Sequence, residues 1–212
     1  RLGMEALLPH KTLELTDDFR EVVDGKYATD LAVRQAVLQS YEPESKCVQF
    51  DDIKNLKGQE LRDVFTGQSV VYVYHDQIDN TGEHEEDAVF EACEKAVDEI
   101  VKLIQKISTS GNTYRFIVTA DHGFIYKRDK VTASDKIGGM SDSDRLVKRR
   151  YIVSKEPITE QGVCNISLGY MLGNNDNKII SYSCSTNVFS TPGNAGLNYV
   201  HGGSSPQEML VP

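Results

Sequence analysis

The sequence lacks the features that mark membrane, secreted and nucleic-acid-binding proteins. No apolar run approaches the roughly 20 residues of a membrane span, and no signal peptide opens the chain. Positive charge is scarce, because 23 Lys and Arg face 32 Asp and Glu, a net charge of -9. That balance disfavours a broad basic face for nucleic acid, although a bound metal or a partner subunit can supply positive charge locally. No CxxC spacing joins the 4 cysteines, which predicts isolated reduced thiols in a cytoplasmic protein.

The composition is that of a globular domain. Apolar residues make up 39% of the chain and charged residues 26%, enough for a substantial core in 212 residues. The chain starts at Arg1 without an initiator methionine and stops as an apolar run begins at Met209. These ends predict a piece of a longer protein.

Two strand-forming runs are each followed by residues that can bind metal. The run at 116–119, in a strand predicted at 115–119, leads into Asp121-His122-Gly123, and the run at 70–74 leads into His75, with Asp79 four residues later. Both runs are continuously apolar and rich in β-branched or aromatic residues, which predicts strands buried on both faces.

A long helix is predicted between the two runs. Residues 87–107 place apolar side chains at three- and four-residue spacing behind an acidic start. A strand-helix-strand unit of that length predicts two parallel strands joined by a right-handed connection. Ligands of such α/β sheets bind beyond the carboxyl ends of the strands, where these metal-competent residues lie.

Weaker patterns predict further elements. Helices are predicted at 30–40 (capped by Thr29 or Asp30), at 56–65 and from Pro206 (capped by Ser204 or Ser205). Strands are predicted at 46–50, 151–153, 163–172 and 178–188, and loops at 174–177 and 193–198. The polar stretch 127–150 ends in a basic cluster of Arg145, Lys148, Arg149 and Arg150. It predicts either a mobile surface loop or a lid with a phosphate-binding edge.

Histidines and carboxylates concentrate in three segments. His75, His84, His122 and His201 each lie beside Asp, Glu or Gly, and this donor set suits zinc, manganese or iron. The glycines of His201-Gly202-Gly203 let the backbone approach a ligand closely. The alternative is that the aspartates cap turns and that ordinary hydrogen bonds satisfy the histidines.

Four motifs in order resemble the PglZ family of the alkaline phosphatase superfamily, which accompanies BREX-type phage-defence systems. They are Leu2-Gly3-Met4-x-Ala6-Leu7-Leu8-Pro9-His10, His75-x-x-x-Asp79-x-x-Gly82, Thr119-Ala120-Asp121-His122-Gly123-Phe124 and His201-Gly202-Gly203-x-Ser205. The resemblance covers essentially the whole chain. It implies an α/β fold with a mainly parallel sheet flanked by helices and a β-rich subregion in the C-terminal half.

The resemblance also implies a two-metal site, with zinc expected and manganese as the alternative. Its metal ligands map to Asp79, Asp121, His122 and His201. Glu83 stands where histidine is usual, and His84 follows it, so the choice between these two stays open. His75, Gly123 and Gly202 are further site candidates. The first metal-binding aspartate and the nucleophile of the superfamily lie upstream, so the resemblance implies that this chain lacks them.

By the same resemblance, residues 1–212 form a partial alkaline-phosphatase-like domain. An α/β part is expected at 1–130, a β-rich insertion or lid at 131–198, and a return to the core at 199–212.

The implied function is metal-dependent hydrolysis of phosphate monoesters or diesters, including nucleic acid, in anti-phage defence, with the piece alone expected to be inactive. Other defence-system proteins are the implied partners. A non-catalytic module that keeps the fold is the alternative, and a phosphomutase ranks last because no residue here selects a sugar phosphate.

Overall fold

A computed structural model describes residues 2–129, 131–139, 145–173, 176–191 and 198–210. The contacts within the chain divide it into two compact units. Unit 1 comprises residues 1–7, 11–25 and 119–212, and unit 2 comprises residues 8–10 and 26–118. Each unit is described by itself.

The described elements are short except for one helix. The helices are α1 (Leu2–Ala6), α2 (Leu31–Tyr41), α3 (Phe50–Ile53), α4 (Gly58–Phe65), α5 (Gln77–His84), α6 (Val89–Ser110), α7 (Gly169–Leu172) and α8 (Pro206–Met209), with 3₁₀ turns at Glu86–Ala88 and Ala133–Asp135. The strands are β1 (Leu13–Leu15), β2 (Glu21–Val23), β3 (Ser45–Gln49), β4 (Val70–Tyr74), β5 (Ile125–Tyr126), β6 (Lys136–Gly139), β7 (Leu146–Val147), β8 (Tyr151–Ser154), β9 (Val163–Ser167), β10 (Ile179–Ser183), β11 (Val188–Ser190) and β12 (Tyr199–Val200).

Unit 2 is built on a parallel pair of strands. β3 and β4 pair in parallel from Ser45↔Val70 to Gln49↔Tyr74. Its core joins these strands to α3, α4 and α6 through buried apolar side chains, namely Val48, Phe50, Ile53, Leu61, Val64, Phe65, Leu103 and Ile107. The side chain of Asp30 caps α2 by accepting from the Val33 amide at 2.9 Å. The predicted positions of α2, α4, β3, β4 and α6 are therefore confirmed, with ends that differ by a few residues. The prediction that β4 is buried on both faces is wrong, because its residues are half-buried and Val70 is exposed.

The prediction of a buried strand at 115–119 is wrong. Residues 112–120 carry no strand, and Ile117 is 92% exposed and Val118 58% exposed. Among the described residues, no backbone–backbone hydrogen bond involves positions 115–120. A β-branched run becomes a strand only beside a partner that completes its ladder. Propensity alone therefore misled the prediction, and only the first strand and the helix of the expected strand-helix-strand unit are present.

Unit 1 is rich in short strands. Its largest sheet has the order β7-β8-β10-β9, and each neighbouring pair in it is antiparallel. Two-stranded pairs add β1 with β2, β5 with β12 and β6 with β11, of which only the last is parallel. The β-rich prediction from Tyr151 onward is confirmed, and so is a mixed α/β class. The strand predicted at 163–172 is too long, because β9 ends at Ser167 and the helix α7 follows at Gly169–Leu172. A single, mainly parallel sheet is not seen in the described part of the chain.

Two sequence-based expectations in unit 1 are corrected. Cys164 and Cys184 form a disulfide, whereas Cys47 and Cys93 are free. Antiparallel pairing of β9 with β10 sets Cys164 opposite Tyr182, a proximity that sequence spacing does not reveal. Arg150 of the basic cluster is completely buried and so belongs to neither a surface loop nor an exposed phosphate-binding edge.

Parts of two predicted loops, at 174–177 and 193–198, lie outside the described residues. Within the described ranges, no helix combines the length with the apolar character that crossing a bilayer demands.

A matched pair of substitutions on α6 tests its orientation. Val89 is 0% exposed and Val97 is 61% exposed. We expect Val89→Ala to lower the free energy of unfolding by about 2 kcal/mol, because it removes buried methyl groups and leaves a cavity. Val97→Ala should stay within about 0.5 kcal/mol of wild type. Equal losses in urea denaturation would contradict this packing of the helix.

Candidate functional site

Unit 1 brings two of the predicted ligand histidines together. The rings of His122 and His201 stack with centroids 4.0 Å apart and planes 8° from parallel. The antiparallel pairing of β5 with β12, in register Val200↔Ile125, explains the approach. His201 follows one strand directly and His122 lies three residues before the other, so both side chains are delivered to the same end of this pair.

Asp121 adds a carboxylate beside the stacked rings. Its Oδ2 lies 3.6 Å from His122 Nε2, and the two side chains are only 16% and 20% exposed. His122 Nδ1 lies 3.0 Å from the Gly123 carbonyl oxygen. Because a carbonyl can only accept, this bond places a ring proton on Nδ1. Nε2 is thus the ring nitrogen that faces the Asp121 carboxylate, and imidazole nitrogen and carboxylate oxygen are both common metal ligands.

Aromatic side chains pack beside His201. The Tyr199 ring lies 5.9 Å from the His201 ring and the Phe124 ring lies 4.9 Å from that of Tyr199. Gly202 adopts φ +94°, and a Cβ there would come within 2.8 Å of the Tyr151 ring. The glycine is thus required by backbone conformation and by close packing on an aromatic ring, a protein contact that the sequence analysis did not foresee.

Gly123 is required for a second close approach. A Cβ at this position would collide with the Gln207 carbonyl oxygen, and the Gly123 amide donates to the Glu208 carbonyl oxygen at 2.8 Å. The glycine is therefore required by packing, since it joins the Asp-His-Gly segment to α8. Ser205 caps that helix with a capping box completed by Glu208, so the predicted start at Pro206 with Ser205 as cap is confirmed.

Sequence reasoning missed a buried ion pair next to these histidines. Arg150 and Glu208 are 0% and 2% exposed, and their Nε–Oε1 and Nη2–Oε2 distances are both 2.8 Å. Burial raises the pKa of Glu208, but hydrogen bonds from Arg150 and Ser205 and the charge of Arg150 outweigh it, so the pKa lies below its usual range. The Ser-x-x-Glu spacing of a capping box was the available signal for Glu208, whereas Arg150 had none beyond its basic neighbours.

Unit 2 carries the other predicted ligands. Asp79 is half-buried on α5, while Glu83 and His84 are exposed near its end. Asp79 and Glu83 are four residues apart and therefore share one face of the helix, which His84 does not. His84 Nδ1 instead lies 2.8 Å from the Asn80 carbonyl oxygen of its own helix.

His75 lies at the carboxyl end of β4 in a packed setting. Its ring meets Phe50 edge-on at 4.7 Å, and its Nε2 lies 3.6 Å from Glu99 Oε2 of α6. Both of these atoms are buried, and neither has a hydrogen-bond partner among the described residues. A cavity of about 210 Å³ opens beside the ring and is lined by Gln49, Phe50, Asp51, Asp52, Tyr74, His75, Asp76 and Gln77.

Comparison with known proteins agrees with this set of motifs. The sequence matches the BREX system PglZ alkaline phosphatase-like domain over residues 1–212. It is 36% identical over 213 residues to the alkaline phosphatase-like protein PglZ of Bacillus cereus (strain H3081.97), covering 100% of this chain and 25% of that protein. It is 31% identical over 218 residues to the alkaline phosphatase-like protein BrxZ of Escherichia coli O9:H4 (strain HS), with the same coverage.

The class defined by the fold, the motifs and these matches is an alkaline-phosphatase-like domain. Within that class, the chain belongs to the PglZ family of BREX systems, which confirms the resemblance seen in the sequence. It spans about a quarter of the length of the curated relatives that it matches.

A glycine pair tests the approach of Gly123 to α8. We expect Gly123→Ala to lower the free energy of unfolding by about 1–3 kcal/mol, because the new methyl group would collide with the Gln207 carbonyl. Gly138→Ala is the control, since the nearest atom to a Cβ there is 3.9 Å away. A stable Gly123→Ala chain with unchanged thermal unfolding would overturn the contact.

The pH dependence of stability tests the ionisation of Glu208. A carboxyl with a lowered folded-state pKa stabilises the fold above its unfolded-state pKa, about 4.3, and this contribution is lost as the pH falls through the folded-state value. Glu208→Gln should therefore lose about 3–5 kcal/mol at pH 7, and its gap to wild type should narrow below about pH 4. Glu14→Gln, at an exposed position of β1, should show neither effect in urea titrations across this range.

Proposed function

We propose that this chain forms part of a metal-dependent hydrolase of phosphate esters that acts in anti-phage defence. The observation that carries the proposal is the approach of His122 Nε2 to Asp121 Oδ2 at 3.6 Å, with the His122 ring stacked on that of His201. Imidazole nitrogen and carboxylate oxygen are both ligands of divalent cations, so His122 and Asp121 would hold one together. Other defence-system proteins are its proposed partners.

Metal binding at His122 and His201 requires neutral rings, since only neutral imidazole coordinates a metal. A set of imidazole and carboxylate donors suits zinc first and manganese second.

The residues proposed to hold metal are Asp121, His122 and His201 and, from the PglZ resemblance, Asp79. Support for Asp79 comes from its motif, which the PglZ resemblance maps to a ligand. Of Glu83 and His84, we favour Glu83 as a metal ligand, because it lies on the same face of α5 as Asp79. When bound, the metal would supply positive charge to the phosphate oxygens and lower the pKa of a coordinated water.

The protein side chains have their own tasks in this proposal. The Gly123 carbonyl fixes the His122 tautomer through Nδ1, and a fixed tautomer presents one defined nitrogen to the ligand. The partial burial of Asp121 and His122 limits competition from water and strengthens their charge interactions. Phosphate monoesters and diesters, including nucleic acid, are both substrate candidates.

A non-catalytic interaction module is the second candidate. Glu83 favours it, since glutamate stands there where histidine is usual in the superfamily. A module of this kind would keep the fold and the packing around His122 without holding stoichiometric metal.

Metal analysis separates the two candidates. We expect the whole protein purified without chelator to carry zinc or manganese, and Asp121→Ala to lose it, because the substitution removes a charged donor. Asp129→Ala, at an exposed position, is the matched control. In the whole protein, Asp121→Ala should lower hydrolysis of p-nitrophenyl phosphate and bis(p-nitrophenyl) phosphate by more than about 100-fold. This loss exceeds the one expected when a residue that only hydrogen-bonds to a metal ligand is removed.

Elemental analysis by mass spectrometry gives the first readout and phosphate-ester turnover the second. Whole protein without stoichiometric metal would reject the enzyme and favour the module. Metal loss together with loss of hydrolysis in Asp121→Ala, but not in Asp129→Ala, would reject the module.

A further inference from the structure

One residue touches both histidine segments. The Glu208 carboxylate accepts from the Gly203 amide at 2.8 Å and from the Ser205 amide at 3.2 Å. It also accepts from the Ser205 hydroxyl at 2.7 Å. These bonds fix the loop that begins immediately after His201.

The backbone of Glu208 holds the other segment. Its carbonyl accepts from the Gly123 amide at 2.8 Å, and the Gly123 carbonyl in turn lies 3.0 Å from His122 Nδ1. A short chain of contacts thus runs from Glu208 through Gly123 to the His122 ring. Side chain and main chain of a single residue therefore hold the two segments that carry the stacked imidazoles.

Arg150 fixes Glu208 in this position. Its guanidinium donates two hydrogen bonds to the carboxylate and others to the carbonyls of Ser185 and Asn187. A Cβ on Gly203 would come within 2.5 Å of Arg150 Nη2, so the loop lies directly against the guanidinium. The neighbouring Tyr151 ring packs on Gly202.

Stability alone does not account for such a pair. Apolar side chains of similar volume often replace a buried ion pair with no loss of stability, whereas removal of one partner is strongly destabilising. What apolar packing cannot supply is a set of directional bonds to several backbone amides. The Arg150–Glu208 pair supplies these at the loop of His201.

We propose that Glu208, held by Arg150, is a positioning residue that sets the His122 and His201 imidazoles in the relative orientation needed to bind a divalent cation. The cation-binding part of this statement rests on the proposed function. The control of ring orientation does not, and it is measurable without metal.

A mild substitution tests the proposal without breaking the ion pair. Ser205→Ala removes one hydroxyl bond to Glu208, and we expect it to move the ring-proton resonances of His201 and His122 in the metal-free chain, since stacked rings shift each other's signals. Binding of Co²⁺, followed by its visible absorption, should weaken about tenfold, as for other outer-shell partners. Ser205→Thr keeps the hydroxyl and should restore both properties.

Ser181→Ala is the matched control. Ser181 is fully buried, and its hydroxyl bonds to Asn165 Oδ1 at 2.5 Å, in the β9–β10 pair instead of the loop. It should lower thermal stability about as much as Ser205→Ala while leaving the ring resonances and Co²⁺ affinity unchanged. If the two alanine variants behave alike in these readouts, the positioning role is rejected.

Two further outcomes are distinguishable. A wild-type chain that binds no Co²⁺ counts against the proposed function, and the ring resonances then decide the positioning role alone. If Ser205→Ala does not fold, Glu208→Asp replaces it, since it keeps the charge opposite Arg150 but withdraws the carboxylate from the loop. Unmoved ring resonances in a folded Glu208→Asp chain would overturn the proposal.

Discussion

The buried bond between Arg150 and Glu208 is the constraint on which the histidine site depends. Both groups are removed from water, and the desolvation of two charges is repaid only when geometry is good and the remaining hydrogen-bonding positions are filled. Here the carbonyls of Asn187 and Ser185 accept from Arg150, and the amides of Gly203 and Ser205 donate to Glu208. Because these partners belong to separate segments, the ion pair joins several loops of unit 1 that hold little regular secondary structure of their own.

Local patterns predicted what local energetics determine. The helix α6 followed from its apolar stripe, α2 from Asp30 and its apolar run, and α8 from proline behind a serine cap. Each depends on bonds within a few residues, so a sequence window contains the information. The Cys164–Cys184 bond and the burial of Arg150 depend on pairing between distant segments. A short stretch of sequence does not reveal such pairing.

The segment before Asp121 shows the limit of propensity most clearly. Ile117 and Val118 have strand-forming side chains, yet both are exposed and their backbone lacks a ladder among the described residues. Strand structure is a property of a pair, because each hydrogen bond of the ladder needs a donor or an acceptor on the neighbouring strand. The structure nevertheless brings together His122 and His201, two residues that the resemblance of their motifs to a known family predicts as ligands. The motifs did not indicate that Glu208 contacts both histidine segments.

The glycines of the two motifs carry a physical lesson about motif reading. The sequence analysis predicts that Gly202 lets a ligand approach, as glycines in binding loops often do, and makes Gly123 a further site candidate. Instead, Gly202 packs on the Tyr151 ring and Gly123 on the Gln207 carbonyl. Both glycines therefore serve the protein's own packing and bring the histidines next to each other. A glycine beside a candidate ligand thus indicates a close approach, while the identity of the approaching group is decided by the tertiary structure.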